Sequence, residues 1–362
     1  MQNLKLEYIW LDGSNPQQLR SKTKIIQMIE TLDTNEYSMW SFGGSSTKQA
    51  EAGKGKNTDC LLNPVFVTKD PFRGGNNKLV FCEVLNPDGS KHNTNHRGTL
   101  EEKLKELGIN ENLDKDELPW FGWEQEYTLT HKPKNPFGLE GSLPLGFEKG
   151  QPREQGDYYC GIGSDNVVGR DIVEEHMSMC MEIGLDISGI NAEVMLGQWE
   201  YQIGPVKPLN GSDQMWISRY LLQRVAEKYN INVSLHPKPM SGDWNGSGCH
   251  VNFSTKEMRQ EGGLSLIDEA VMKLKEKHKE HMLVYGLDND QRMTGEHETS
   301  SIHEFTHGYS TRDTSIRIPA QSIIDKKGYF EDRRPASNCD PYQVTERMLE
   351  TVFSEVTDSV EI

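Results

Sequence analysis

No part of the sequence is typical of a membrane-spanning, nucleic-acid-binding or disulfide-rich protein. No apolar run approaches the roughly 20 residues that a helix needs to cross a bilayer, and no apolar signal segment stands at the N-terminus. No block of lysine or arginine interrupts a chain of net charge −16. The six cysteines are scattered without C-x-x-C spacing, as in proteins with reduced thiols. We therefore predict a cytoplasmic protein with no membrane and no nucleic acid among its partners.

The sequence also lacks both common glycine-rich phosphate-binding motifs. The segment 238–254, K-P-M-S-G-D-W-N-G-S-G-C-H-V-N-F-S, ends in a predicted strand, so it matches neither the P-loop nor the Rossmann pattern. Its glycines Gly242, Gly246 and Gly248 would let backbone amides approach an anion or a carboxylate closely. His250, at the start of the strand, could bind a metal or a phosphate. A simple turn is the alternative interpretation.

The length and the pattern of elements predict two domains of the α+β class. The chain of 362 residues is longer than one hydrophobic core usually supports. Residues 1–95 are rich in strand patterns and turn residues, the polar stretch 91–97 forms a boundary, and strands and helices alternate over 96–362. Helices are predicted at 99–108, 169–183, 214–229, 264–285 and 342–356, and strands at 5–10, 78–85, 121–130, 193–203, 249–254 and 315–318.

Paired glutamates lie in two of the predicted strands. In F-G-W-E-Q-E-Y the two-residue period places Glu124 and Glu126 on one face of a strand. If Leu196-Gly197 turns a hairpin, Glu193 and Glu200 lie directly opposite each other, where like charges are unfavourable. Oxygen ligands with one histidine favour magnesium or manganese over zinc. A solvated strand face without a metal is the alternative.

Arginines are concentrated in the last third of this acidic chain. Their guanidinium groups suit bidentate binding of carboxylate or phosphoryl oxygens. Ion pairs with the surplus acidic residues are the alternative interpretation. The arginines concerned are Arg292, Arg312, Arg317, Arg333 and Arg334.

Taken together, the motifs resemble those of glutamine synthetases of the class II, eukaryotic-like type, from about Tyr8 to Pro341. They are F-G-W-E-Q-E-Y, A-E-V-M-L-G-Q-W-E-Y-Q-I-G-P, D-W-N-G-S-G-C-H-V-N-F-S, G-E-H-E-T-S, S-I-R-I-P and K-K-G-Y-F-E-D-R-R-P-A-S-N-C-D-P-Y. The resemblance implies an N-terminal β-grasp domain over 1–95 and a larger catalytic α/β domain over 96–362. It also implies a homo-decamer of two pentameric rings, with each site between neighbouring subunits.

The resemblance implies a reaction in which ATP phosphorylates the side-chain carboxylate of L-glutamate and ammonia, supplied as ammonium, then displaces phosphate. Two or more Mg²⁺ or Mn²⁺ ions would be held, one by Glu126, Glu193 and Glu200 and another by Glu124, His250 and Glu331. Glutamate would be bound by Asn245, Gly246, Arg292 and Arg333, and ATP by Trp120, Ser254, Arg312 and Arg317. Glu298 would close the site against water and take a proton. The catalytic residues that the resemblance implies are Glu298, Arg312 and Arg333. Gly43, Ser46, Tyr159 and Glu193 would line the amine pocket.

The resemblance leaves three further positions open. His297 and His307 are as well explained by structural roles, and Arg334 by an ion pair.

One position departs from the family pattern. The family motif reads F-D-G-S-S-T, and its aspartate helps to bind ammonium and to remove a proton, whereas this chain reads F-G-G-S-S-T with Gly43 in that place. Gly43 could be an engineered or incidental substitution in an otherwise normal enzyme, the interpretation that we favour because the other catalytic positions are present. It could instead mark a ligase for a larger amine, or a non-catalytic relative that binds nucleotide and glutamine.

Overall fold

The apolar segments near the N-terminus form a five-stranded sheet. Its strand order is β2-β1-β5-β4-β3, with β1 and β5 parallel and the other neighbours antiparallel. Period-two alternation lets one face of this sheet bury its aromatic and aliphatic side chains, which include Tyr8, Trp10 and Phe42. The strands are β1 (Asn3–Leu11), β2 (Leu19–Gln27), β3 (Trp40–Gly43), β4 (Asp59–Lys69) and β5 (Lys78–Leu85).

This sheet belongs to the smaller of two units. The computed structural model describes residues 3–27, 37–51, 53, 57–132, 143–147 and 152–354. One unit comprises residues 1–102 and 181–184, and the other comprises residues 103–180 and 185–362. The first unit is β-grasp-like and the second combines helices with a second sheet, so the predicted α+β class is confirmed.

The first helix, α1 (His96–Glu106), begins three residues before the predicted start at Thr99. The reason is its cap: the Asn95 side-chain oxygen accepts a hydrogen bond from the Gly98 amide at 2.8 Å. The predicted end is confirmed, since Gly108 adopts a φ of +69° just past the helix.

Replacing the capping residue should weaken the first unit. Asn95→Ala is expected to lower the free energy of unfolding by about 1 kcal/mol, the usual cost of a lost N-cap. Urea unfolding followed by tryptophan fluorescence, to which Trp10 and Trp40 of the first unit contribute, measures this change. Asn93→Ala, at an exposed neighbouring position, is the control and should stay within about 0.5 kcal/mol of the parent. Equal stabilities of the two variants would contradict the capping role.

The second sheet has eight strands and is built around β6. Its order is β11-β12-β13-β10-β6-β8-β7, and β9 also pairs with β6. Only β11 and β12 run parallel among the pairs described. The strands are β6 (Trp120–His131), β7 (Ile187–Ala192), β8 (Gln198–Val206), β9 (Ile231–Ser234), β10 (Cys249–Ser254), β11 (His307–Tyr309), β12 (Ile316–Ile318) and β13 (Phe330–Asp332).

Six further helices follow α1 among the residues described, and all but the last two residues of α2 lie in the second unit. Helix α3 packs on β6, β8 and β9. The predicted helix 264–285 is interrupted at Lys277, whose φ of −95° and ψ of 11° are not helical. The predicted residues 355–356 lie outside the described residues. No described helix is both long and apolar enough to span a membrane. The helices are α2 (Arg170–Glu182), α3 (Pro208–Lys228), α4 (Leu264–Glu276), α5 (His278–Met282), α6 (Ala320–Asp325) and α7 (Pro341–Val352).

The predicted hairpin between β7 and β8 exists, but its predicted register is wrong. Glu200 pairs with Asn191, two residues before Glu193. Glu193 lies in a five-residue connection, where its amide donates to the Gln198 carbonyl at 3.0 Å and Gly197 has a φ of +83°. The longer connection moves Glu193 off the strand, so Glu193 and Glu200 are not direct cross-strand neighbours.

Candidate active site

The central strand β6 aligns the candidate site residues on one face of the second sheet. Glu124 pairs with His250 of β10 on one side and with Gln202 of β8 on the other. Two residues further along β6, Glu126 pairs with Glu200. Paired residues project to the same face, and so do residues two apart. The predicted common face of Glu124 and Glu126 therefore also carries His250 and Glu200.

One group of ligand-type side chains is compact. His250 Nδ1 lies 3.4 Å from a carboxylate oxygen of Glu124 and 3.4 Å from one of Glu331. Ligand atoms from these three residues all lie within 4.8 Å of one another. The structure thus brings together one of the two predicted ligand sets. Two carboxylates and one imidazole nitrogen make a donor set that Mg²⁺ or Mn²⁺ can accept.

Positive charge already surrounds this group. Arg317 and Arg333 each donate to a different carboxylate oxygen of Glu331, both at 2.6 Å. Burial opposes ionisation of Glu124, but hydrogen bonding and charge from His250, with further contributions from Asn252 and Arg333, bring its pKa down to about 2. Glu124 therefore stays anionic at physiological pH.

The carboxylates of the other predicted ligand set are buried and repel one another. Burial and the charge of Glu126 raise the pKa of Glu193 to about 8. Burial and the charges of Glu124, Glu126 and Glu193 raise the pKa of Glu200 to about 9. Three buried carboxylates facing one another are costly unless a cation compensates them. A divalent cation fits this set, since its charge would relieve the repulsion that shifts both pKa values.

Amide side chains that the sequence analysis did not single out hold these carboxylates. Asn191 donates to Glu193 at 2.8 Å, and Gln202 donates to Asn191 at 2.9 Å and also to Glu200. Gln198 donates to Glu126 at 3.3 Å. The sequence of β8 indicates the two glutamines, because Gln198, Glu200 and Gln202 follow one another at the two-residue period and share a face.

The glycine-rich segment approaches the carboxylates as predicted. The Gly248 amide donates to a Glu126 carboxylate oxygen at 2.7 Å. A side chain at Gly248 would lie 2.7 Å from His250 Nε2, and one at Gly246 would lie 2.3 Å from Arg292 Cγ. These two glycines are therefore required by close packing rather than by backbone conformation.

Arg292 is largely buried and held by main-chain oxygens. It donates from Nη2 to the carbonyls of Arg333, Arg334 and Pro335, the shortest contact being 2.7 Å. Burial lowers the pKa of Arg292 to about 10, so the group remains cationic. The described residues provide no hydrogen-bond acceptor for its Nη1, and Arg292 lines a polar cavity.

This polar cavity has a volume of about 600 Å³. Most predicted site residues of the second unit line it, whereas Glu331 is only 1% exposed and is covered by its two arginines. Arg312 and Glu298 are exposed, and Arg333 Nη2 donates to the Glu298 carbonyl at 3.3 Å. The predicted residues that line the cavity are Glu124, Glu126, Tyr159, Glu193, Glu200, Asn245, Gly246, His250, Arg292, Glu298, Arg312, Arg317 and Arg333.

A second, apolar cavity of about 330 Å³ contains the remaining predicted positions of this unit. Trp120 and Ser254 line it, and Glu124 lines both cavities. The Arg259 guanidinium lies 4.0 Å from the Trp120 ring centroid and donates to Ser254 Oγ at 3.1 Å. A flat aromatic group could pack in this cavity while an attached anionic group reached the polar one.

Gly43 and Ser46 lie in the first unit. Gly43 ends β3 with an extended φ of −79°, and a Cβ added to it would meet no atom within 4 Å. Neither backbone strain nor packing therefore requires glycine there. At Gly44, by contrast, a Cβ would lie 2.7 Å from Cys60 Sγ. Both Gly43 and Ser46 are exposed.

Arg334 does not line the cavity. Its guanidinium forms a fully buried ion pair with Asp332, with N–O distances of 2.7 and 2.8 Å, on the strand that carries Glu331. Tyr285 donates to the same carboxylate at 2.8 Å. The ion-pair alternative for Arg334 is therefore confirmed.

Proteins of similar sequence cover nearly the whole chain. The family model "Glutamine synthetase, catalytic domain" matches residues 94–272. A glutamine synthetase of Suillus bovinus is 49% identical over 348 residues, which make up 96% of this chain and 93% of the relative. One of Tuber borchii is 49% identical over 346 residues, 96% of this chain and 91% of the relative. A chloroplastic glutamine synthetase of Chlamydomonas reinhardtii is 48% identical over 356 residues, 96% of this chain and 90% of the relative.

Proposed function

This chain belongs to the glutamine synthetase family, and on that premise we propose how its residues divide the work of ATP-dependent glutamine synthesis. The reaction needs activation because a carboxylate is a poor electrophile and an acyl phosphate is a good one. A glutamate side-chain oxygen attacks the terminal phosphorus of ATP, ADP leaves, and ammonia then attacks the carbonyl carbon and expels phosphate. The observation that carries the proposal is the sheet face that assembles Glu124, His250 and Glu331 beside buried carboxylates and arginines.

Two sets of side chains would hold the divalent ions. Glu124, His250 and Glu331 form one ligand set, and Glu126, Glu193 and Glu200 form the other. When bound, Mg²⁺ or Mn²⁺ neutralises phosphate charge and polarises phosphoryl oxygens. The raised pKa values of Glu193 and Glu200 support the second set, because they arise from burial and repulsion that a cation would offset.

Arginines and the glycine-rich segment bind the organic substrate. Arg333 and the free Nη1 side of Arg292 bind the carboxylates of glutamate, while Asn245 and the Gly246 main chain meet its amino end. All four line the polar cavity, which supports this division. Because Arg292 is fixed by three main-chain carbonyls, it pays little conformational entropy when it binds an anion.

Arg312 and Arg317 act on the transferring phosphoryl group. Their guanidinium groups line the polar cavity and supply positive charge where negative charge develops. Trp120 and Ser254 bind the adenine in the apolar cavity that adjoins Glu124.

Replacing the adenine-contacting ring should weaken ATP binding selectively. Trp120→Ala is expected to raise the KM for ATP about tenfold, the usual effect of losing one aromatic stacking partner for a base. Steady-state kinetics with ATP varied at saturating glutamate measures this effect. Trp120→Phe keeps a ring and should remain within about threefold of the parent. An unchanged KM for ATP in Trp120→Ala would place the adenine elsewhere.

Glu298 and the amine pocket complete the second half-reaction. Glu298 closes the site and accepts a proton from the amine adduct, while Tyr159, Ser46 and Glu193 receive the amine. Gly43 leaves this pocket without the family carboxylate, so we propose impaired use of ammonium. A preference for a larger amine is the second candidate, supported by the open space beside Gly43.

We also propose three larger-scale properties. The domains are a β-grasp domain over 1–95 and a catalytic domain over 96–362. The subunits form a homo-decamer of two pentameric rings, with each site between neighbours. The chain is cytoplasmic, which agrees with six free cysteines.

One assay tests the proposed function. Phosphate release is measured with magnesium-ATP and glutamate against ammonium, hydroxylamine, methylamine, ethanolamine and a polyamine. Turnover with ammonium at high concentration is expected. A strong preference for a larger amine would show that this amine, and not ammonium, is the substrate. ATP binding without turnover on any amine would overturn the enzymatic proposal.

A further inference from the structure

The segment that carries Glu298 is held in an unusual backbone conformation. His297 and Glu298 are consecutive non-glycine residues with φ values of +53° and +59°. This left-handed region disfavours residues with a Cβ, and such residues persist only where the surroundings hold them. Contacts outside the segment must therefore keep Glu298 in place.

The His297 side chain makes contacts to two other loops. Its Nδ1 lies 2.6 Å from the Gln155 amide nitrogen, and its Nε2 lies 3.1 Å from a carboxylate oxygen of Asp243. If the Gln155 amide donates to Nδ1, the Nε2–H of a neutral ring donates to Asp243. The imidazole is thus used at both nitrogens and joins three segments around the polar cavity.

The two contacts differ in strength. The Asp243 side chain is 95% exposed, so solvent screens its interaction with His297. The His297 side chain is only 16% exposed and its contact with Gln155 is partly buried. Of the two His297 contacts, the one with Gln155 is therefore the stronger, and it adds to the Arg333 hydrogen bond that holds the Glu298 carbonyl at 3.3 Å.

We propose that His297 is a positioning residue that latches the Glu298 segment over the reacting centre through Gln155, with Asp243 as a weaker second anchor. This inference rests on the proposed function of Glu298. The latch acts on the lifetime of the acyl phosphate. When the segment opens, water attacks the same carbonyl carbon that ammonia would attack, the bond to the phosphate oxygen breaks, and glutamate and phosphate are released.

The latch predicts that ATP is wasted when His297 is replaced. His297→Asn removes the long reach of the imidazole, yet asparagine tolerates the left-handed backbone better than other residues. We expect glutamate-dependent phosphate release without any amine to rise about three- to tenfold relative to glutamine formation, as for the loss of one net hydrogen bond. The KM for ATP should stay unchanged, since the apolar cavity is untouched.

Two further variants separate a latch from a general structural effect. Gln155→Met removes the partner amide and should raise amine-independent phosphate release in the same direction. If both residues act through one contact, the double variant should be no worse than the more affected single variant. Ser310→Asn, at an exposed left-handed residue with a φ of +60°, is the control and should change neither rate.

A measurement without turnover completes the test. Amide hydrogen exchange of residues 294–301 should accelerate several-fold in His297→Asn while exchange in the second sheet stays as in the parent. A parent protein that forms no γ-glutamyl product with ammonium or with any other amine would overturn the proposed function itself. A parent that forms glutamine, together with unchanged phosphate release and unchanged exchange in both variants, would overturn the latch alone.

Discussion

Glu200→Gln is expected to slow glutamine formation roughly a thousandfold, because losing a ligand to a divalent ion that stabilises phosphoryl charge costs about 4 kcal/mol in the transition state. Glu200 is a buried member of a carboxylate set whose charges oppose one another. The amide keeps the shape of the carboxylate but loses the charge that a cation needs. Initial rates at saturating substrates and varied Mg²⁺ measure the loss.

The same variant should not lower the thermal stability of the metal-free protein. In EDTA, Glu200→Gln is expected to be at least as thermally stable as the parent, because an amide adds no charge to the buried set. Added Mg²⁺ or Mn²⁺ should raise the melting temperature of the parent and do so less in the variant. Glu276→Gln, at an exposed position on α4, is the control. Equal ion-dependent stabilisation of Glu200→Gln and its parent would show that Glu200 is not a ligand.

Gly43→Asp is expected to lower the ammonium concentration needed for half-saturation about a hundredfold, since one charge-assisted contact contributes roughly 2 to 3 kcal/mol. The position accepts the change, because Gly43 has an extended backbone and open space around its Cα. Phosphate release from ATP and glutamate without amine should not change, because activation precedes amine binding.

Two comparisons sharpen the interpretation of Gly43→Asp. Gly43→Asn has the same size without the charge and should give little of the gain. If the parent prefers a larger amine, Gly43→Asp should reduce that activity while ammonium use rises. An ammonium requirement that is the same in the parent and in Gly43→Asp would contradict any role for a carboxylate at this position.

Much of the site could be predicted because it lies on regular strands. The two-residue period places Glu124 and Glu126 on one face from local sequence alone. β10 (Cys249–Ser254) was predicted with its observed bounds, so His250 at its start could be placed at a strand end. Long-range pairing then sets His250 opposite Glu124, which no local pattern specifies.

The parts that could not be predicted depend on loop length and on packing. The apolar sequence around Glu193 predicts that this residue lies on a strand, yet a five-residue connection carries it into the turn. The sequence predicts a start of α3 at residue 214, but the helix begins at Pro208, because the tertiary fold buries the polar residues that follow this proline and that are typical of a loop. Such residues follow tertiary context rather than propensity.

The buried partners of the arginines show which of them line the site and which form structural ion pairs. A cluster of arginines in a sequence does not distinguish a substrate site from ion pairs. In the structure Arg334 is neutralised by Asp332 behind the strand, whereas Arg317 and Arg333 share Glu331 and line the cavity. Arg333 and Arg334 are adjacent in sequence just after β13, yet their side chains lie on opposite faces of this strand and its continuation.

The transfer of oxygen from glutamate to phosphate tests the central claim most directly. Glutamate labelled with ¹⁸O in its side-chain carboxylate is converted with ATP and a saturating amine, and the released phosphate is examined by mass spectrometry. Activation through an acyl phosphate predicts that each phosphate carries one ¹⁸O from glutamate and that the amide product retains the other. Unlabelled phosphate accompanying product formation would contradict the account.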